Sequence, residues 1–163
     1  MLRLIVMRHA KSAWNTGAPT DHARPLAGRG RRDAPRVAQH LASVGWVPEL
    51  VFSSDSERTR ETWARMSPHF DGHIAVQFTN LLYHGGTGPV RRVLEHLSPE
   101  VSTVMVLGHN PGLEIAVEWL CGIDVRMTTA NAALLTSDAS TWSRAVSSGG
   151  GWQLEDVVRP KAL

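Results

Sequence analysis

The chain has 163 residues, 42% of them hydrophobic and 20% charged. That is the composition of an ordinary globular protein, and at this size roughly 68–70% of the unfolded surface is buried on folding. A formal net charge of +2 makes no global demand for nucleic acid or an acidic membrane. The single cysteine, Cys121, excludes an internal disulfide and a C-x-x-C metal or redox site.

The elements follow in chain order. Met1-Leu2-Arg3 leads straight into Leu4–Met7, a short apolar run that suits a strand covered on both faces. No cleavage-type leader precedes it, and no apolar run reaches the roughly 18 residues of a membrane span. The expected location is therefore the cytoplasm, with no membrane partner. Thr16–Arg29, rich in Gly, Pro and Asp, reads as a surface loop near a site. Gly30–Val44 carries apolar residues at helical spacing, with Gly45 just past its end, and Pro35 fits only if it sits in the first turn. Leu50–Phe52 is a second strand and Asp55–Met66 a helix. Ile74–Phe78 alternates as a strand, and Pro89–Leu97 is helical. Val104–Leu107 is another buried run, followed by a helix over Leu113–Leu120. Ala132–Leu135 is a late strand, Ser147–Gly151 a turn and Trp152–Val158 an edge strand. Strands alternating with helices predict a layered α/β fold with a largely parallel sheet. With no internal repeat and no linker, residues 1–163 read as one domain.

Three strand ends look alike. The first runs into Arg8-His9. The second runs into Ser53-Ser54 and a helix carrying Arg58. The third runs into Gly108-His109-Asn110-Pro111. In a parallel sheet these ends share the carboxyl edge, where open α/β sheets bind ligands. Asn110 and Pro111 read as N-cap and first residue of a helix whose N–H groups face that edge. Two arginines and a helix start describe an anion pocket, since a guanidinium fork matches phosphate bidentately. A neutral imidazole beside it can accept a phosphoryl group on nitrogen, and nearby arginines keep the ring uncharged. Carboxylates are scarce at these strand ends, so no metal site is expected there.

Arg8-His9-Ala10, Ser54-x-x-x-Arg58-x-x-x-Thr62 and Gly108-His109-Asn110-Pro111 resemble the histidine phosphatase superfamily. Arg8-His9-Ala10-Lys11-Ser12-x-Trp14-Asn15 and Asp21-x-x-Arg24-Pro25-Leu26 are most similar to its small SixA-like phosphohistidine phosphatase branch. The resemblance extends to Val158-x-Pro160 and implies a three-layer α/β/α sandwich. It implies His9 as nucleophile, with Arg8, Arg58 and His109 holding the phosphoryl oxygens, His109 protonated or as an Nε2–H donor. It adds Asn15 to the phosphate pocket and requires no cofactor. Larger relatives carry a carboxylate acid where this chain reads Leu82-Tyr83-His84-Gly85. An alkoxide leaving group needs a proton in the transition state, whereas an imidazole can leave already protonated. The gap therefore favours phosphohistidine, and Tyr83, His84 and Glu114 are the remaining candidate proton donors.

Plainer readings stand beside these. Arg60 is a local rival of Arg58, and Glu57 and Glu61 suit ion pairs on the helix face. Arg24 fits either substrate binding or an ion pair with Asp21 or Asp33, and Asp21 can pair with His22 or with a pocket arginine. Arg29, Arg31, Arg32 and Arg36 form either a solvated helix face or a landing surface. His69 and His73 have metal-pair spacing, but a turn-like Phe70-Asp71-Gly72 lies between them. Cys121 suits a small hydrophobe at a helix end, and Trp14 suits the pocket rim. The expected substrate is a phosphohistidine on a protein, no nucleic acid being required. The alternatives are a small-molecule phosphomonoesterase and a phosphate-recognition module with little catalysis.

Overall fold

A computed structural model describes residues 1–163. Six strands form one sheet: β1 (Leu2–Arg8), β2 (Leu50–Ser54), β3 (Ala75–Thr79), β4 (Thr103–Gly108), β5 (Ala132–Ser137) and β6 (Gln153–Val158). Their order is β3-β2-β4-β1-β5-β6. The first four positions are mutually parallel, while β5 runs antiparallel to both of its neighbours, β1 and β6. The helices are α1 (Gly28–Ser43), α2 (Glu57–Met66), α3 (Thr87–Leu94), α4 (Gly112–Cys121) and the one-turn α5 (Trp142–Ala145).

Strand periodicity divides the core in two. Leu4, Val6, Val104 and Val106 pack with Val90, Leu94, Leu113 and Trp142 on one face. Ile5, Met7, Met105 and Leu107 pack with Ala34, Val37, Leu41 and Trp63 on the other. Thus α1 and α2 cover one side and α3, α4 and α5 the other. The central strands read as continuous apolar runs because both of their faces are dry.

Three local features differ from the sequence reading. The first helix starts two residues early, and Pro35 lies well inside it. The proline deprives the Arg31 carbonyl of its helical donor, but Arg31 is exposed and water can substitute. The Asn110–Pro111 pair does not start a helix as N-cap and first residue: Pro111 itself is the N-cap, and α4 begins at Gly112. The unexpected α5 is too short to show periodicity. It exists because Trp142 is fully buried and donates its indole N–H to the Val101 carbonyl at 2.7 Å.

The register sets the working edge. Arg8 lies level with Gly108, and Ser53 with Leu107. The residues just beyond, His9 and His109, therefore emerge side by side. The chain entering β5 joins them, with Ala130 N–H donating to the His9 carbonyl and Arg8 N–H to the Asn131 carbonyl.

Candidate active site

At this edge lies a cavity of about 440 Å³ whose wall includes Arg8, His9, Lys11, Arg24, Arg58 and His109 and no carboxylate. His9 Nδ1 sits 2.7 Å from the Ala10 carbonyl. A carbonyl can only accept, so Nδ1 carries the proton and Nε2 keeps a free lone pair. Burial pushes the His9 pKa down to about 4; Arg58, Arg8 and Arg24 add to the effect, while the Ala10 bond opposes it. His9 is therefore neutral and nucleophilic at physiological pH.

His109 lies with its ring centroid 5.1 Å from that of His9. Its Nε2 meets Ser54 Oγ at 2.8 Å and Ser56 Oγ at 3.4 Å. Ser54 Oγ also accepts the Ser56 N–H. Burial, then His9 and Arg58, push the His109 pKa down to about 3. The depressed pKa disfavours the expected imidazolium, whereas an Nε2–H donor is compatible with the Ser54 and Ser56 contacts; Nδ1 meets no protein partner.

The Ser54-x-x-x-Arg58-x-x-x-Thr62 motif now has a physical meaning. Ser54 orients His109. Thr62 Oγ1 accepts the Ala10 N–H at 3.1 Å and so ties α2 to the His9 segment. Arg58, on the first turn of α2, is 6% exposed. Its Nη1 and Nη2 donate to the carbonyl (2.8 Å) and carboxylate (3.0 Å) of Asp21. Arg8 Nη1 donates to the Met127 carbonyl at 3.2 Å. Arg8 Nε, Arg58 Nε, His109 Nδ1 and the acceptor Asn110 Oδ1 remain buried without partners. Buried donors are almost always satisfied, so the unpartnered Arg8 and Arg58 N–H groups beside this cavity suit an anionic ligand.

Asp21 was legible as a partner of His22, of Arg24 or of a pocket arginine. It joins Arg58, Arg24 (3.1 Å) and the Tyr83 hydroxyl (2.5 Å). Tyr83, followed by Arg58 and Arg24, holds its carboxyl well below the usual carboxylate range. Burial, followed by Asp21, pushes the Tyr83 phenol up. The meeting of Asp21 and Tyr83 across the pocket left no sequence signal. His22 pairs instead with Asp55 at 2.9 Å.

Of the two readings of Arg24, the ion pair is observed. Arg24 lines the cavity and pairs with Asp21 rather than Asp33, its guanidinium lying 3.7 Å over the ring of Trp14 at the rim. Asn15 does not join the cavity wall. It turns at φ 57° into a separate exposed hollow between Trp14 and Asp21. Arg60 donates to the Asp55 carbonyl and covers Phe78, which removes it as a rival of Arg58. Of the three candidate proton donors, Tyr83 and His84 line the cavity. Glu114 does not; its carboxylate accepts the Met127 N–H at 2.7 Å. Glu61 reaches beyond its own helix to the Leu26 N–H and Arg31. His69 pairs with Gln39, and no group of three or more His, Cys, Asp or Glu side chains is placed to hold a metal ion. Cys121 is the partly exposed last residue of α4.

At the start of α4, Gly112 packs on the loop after Tyr83. A Cβ there would lie 2.0 Å from the Gly85 carbonyl oxygen, so only glycine permits the contact that closes this wall.

Residues 4–82 match the sequence model of the histidine phosphatase superfamily, branch 1. An uncharacterized chloroplastic protein of Arabidopsis thaliana is 40% identical over 174 residues, which cover 97% of this chain and 78% of that protein. The Agrobacterium tumefaciens structure assigned as the phosphohistidine phosphatase SixA superposes with a TM-score of 0.82 at 26% identity, covering 98% of both chains. A looser match, at TM-score 0.72 and 17% identity, covers 96% of this chain and 98% of the mycobacterial glucosyl-3-phosphoglycerate phosphatase Rv2419c. The chain belongs to the histidine phosphatase superfamily and is a phosphatase with the SixA-like α/β/α fold. No helix is long and apolar enough to cross a membrane.

Proposed function

We propose that the protein is a metal-independent phosphatase whose substrate is a phosphohistidine on another protein. The observation that carries this reading is a neutral His9 with a free Nε2, facing a cavity with two unpartnered buried guanidinium N–H groups and no carboxylate on its wall. Nε2 attacks phosphorus in line, the substrate's P–N bond breaks, and its imidazole leaves as the neutral ring, having been protonated before cleavage. Arg8, Arg58 and His109 take up the charge on the equatorial oxygens, a service that arginines and fixed donors perform without a metal. Water then attacks the phosphohistidine on His9, releasing phosphate and restoring Nε2.

The proton inventory favours this bond. A phosphate ester needs a donor near its leaving oxygen. Here the Tyr83 hydroxyl is raised in pKa and already donates to Asp21. Rim-exposed Trp14 and Ile115, 66% and 55% exposed, leave the mouth open to a macromolecule. Residues 1–163 act in this scheme as one catalytic domain, and its proposed location is the cytoplasm. Arg24 would contact the substrate from the rim. Asn15, in its separate hollow, would do so only through a larger substrate.

The test compares phosphate release from a histidine-phosphorylated protein and from a generic phosphate monoester, in chelator, with His9→Ala as control. Release mainly from phosphohistidine, lost in the variant, supports the reading. Release mainly from the ester moves the function to small phosphorylated molecules. Tight binding of phosphate without release identifies a recognition module.

A further inference from the structure

A second hollow, of about 140 Å³, opens between α1, the chain entering β5 and the segment after β6. Arg29, Arg36, Arg159 and Lys161 line it against one carboxylate, Asp33. That carboxylate is shared, lying 3.6 Å from Arg36 and 4.0 Å from Arg29, and Arg36 Nη2 also donates to the Leu163 backbone oxygen at 2.7 Å. Arg159 donates to a neutral partner, the Asn131 amide oxygen, and no carboxylate lies within ion-pair distance of Arg159 or Lys161. Four cations around so small a hollow repel one another unless an anion joins them. Of the arginine cluster seen in the sequence, Arg31 is spent on Glu61; Arg29 and Arg36 are the members that face this hollow.

The hollow adjoins the active cavity. Thr129 lines both, and Arg29 Nη2 reaches its hydroxyl at 3.4 Å. The next residue, Ala130, donates its N–H to the His9 carbonyl, so the hollow lies beside the segment carrying the candidate nucleophile. We propose that this basic hollow docks the Asp and Glu side chains that flank the phosphohistidine of the protein substrate, while the phosphohistidine itself enters the neighbouring cavity. This rests on the phosphohistidine-protein reading above.

Two observations select that occupant. A small phosphorylated molecule is accommodated by the active cavity alone, whereas only a larger partner straddles the Thr129 ridge. A nucleic acid strand is poorly served, since no aromatic side chain lines the hollow for a base to stack on. Charges at the edge of an interface act mainly on encounter rate and salt dependence, so the signature is a substrate preference that salt removes.

The experiment measures kcat/KM for a synthetic peptide with phosphohistidine flanked by Asp and Glu, a matched peptide with Asn and Gln, and free phosphohistidine. At low ionic strength the acidic peptide is expected to be favoured about tenfold over the neutral one. The ratio should fall towards one as salt is raised. It should also collapse in Arg29→Glu/Lys161→Glu, while that variant hydrolyses free phosphohistidine at the wild-type rate, which certifies its fold. A wild-type ratio near one overturns the proposal, and so does a ratio that survives either salt or the double substitution. If all phosphohistidine substrates are inert but an acid-flanked phosphoserine peptide shows the same charge dependence, the docking surface stands and the scissile-bond reading falls.

Discussion

The two buried neutral histidines make the fold acid-sensitive in a definite window. Burial lowers His9 from 6.5 to about 4 and His109 from 6.5 to about 3. Because both folded values are depressed, the unfolded chain binds more protons below pH 6.5, and stability must fall as pH falls through that range. Taking the pH from about 7.5 to about 4.5 costs about 2 to 3 kcal/mol for each ring, or about 5 kcal/mol together. That is a large part of the 5–15 kcal/mol typical of a domain. Asp21 and Asp55 are also depressed, from 3.8, so their contribution is lost as pH falls through and below that value and overlaps the histidine window only at its acid end. Urea unfolding at a series of pH values in wild type, His9→Asn and His109→Asn tests this. Each variant is expected to lose about half of the acid sensitivity. Wild-type stability that is level between pH 7 and 5, or a His109→Asn variant as acid-sensitive as wild type, would refute the neutral-pair geometry. The same titration predicts kcat/KM that is level at neutral pH and declines towards pH 4 as the His9 Nε2 lone pair takes a proton.

Three further outcomes follow from contacts already described. Arg58→Lys keeps the charge but loses the fork that spans Asp21 and the oxyanion, so steady-state kcat/KM should fall by about two to three orders of magnitude. Tyr83→Phe removes the hydroxyl bonded to Asp21. Phosphohistidine turnover should then stay within about threefold of wild type, and a hundredfold loss, the scale of a general acid, would make Tyr83 the proton donor. Gly112→Ala drives a methyl group into the Gly85 carbonyl, with an expected loss of about 1–3 kcal/mol in chemical unfolding and a widened cavity wall.

Much of the site could be read from the sequence because its parts are local to strand ends. Arg8-His9 and Gly108-His109 follow apolar runs that parallel pairing must bring level, and Arg58 follows a third. What stayed hidden depends on side chains that meet across the fold. Ser54 was readable as a spacing mark, but its grip on His109 Nε2 needs β2 and β4 in register. Asp21 and Tyr83 are joined only when two loops close over the edge. Glu114 sits on the right helix yet turns to the Met127 N–H, a choice made by the loop before β5. Pro111 was misread by one position because a proline serves equally well as N-cap or first helical residue until the backbone is seen. Asn15 carries a family-like neighbourhood, but its left-handed turn takes it off the cavity wall.

The most direct test of the central claim, that His9 carries the phosphoryl group between substrate and water, is to trap the enzyme during turnover. A histidine-phosphorylated protein labelled in its phosphoryl group would be mixed with the phosphatase, quenched in alkali within milliseconds to seconds, and the enzyme mapped by mass spectrometry. The account predicts an alkali-stable, acid-labile phosphoryl group on His9 that disappears as phosphate is released, and none in His9→Ala. Phosphate release at the wild-type rate with no labelled enzyme, or with the label on another residue, would contradict it.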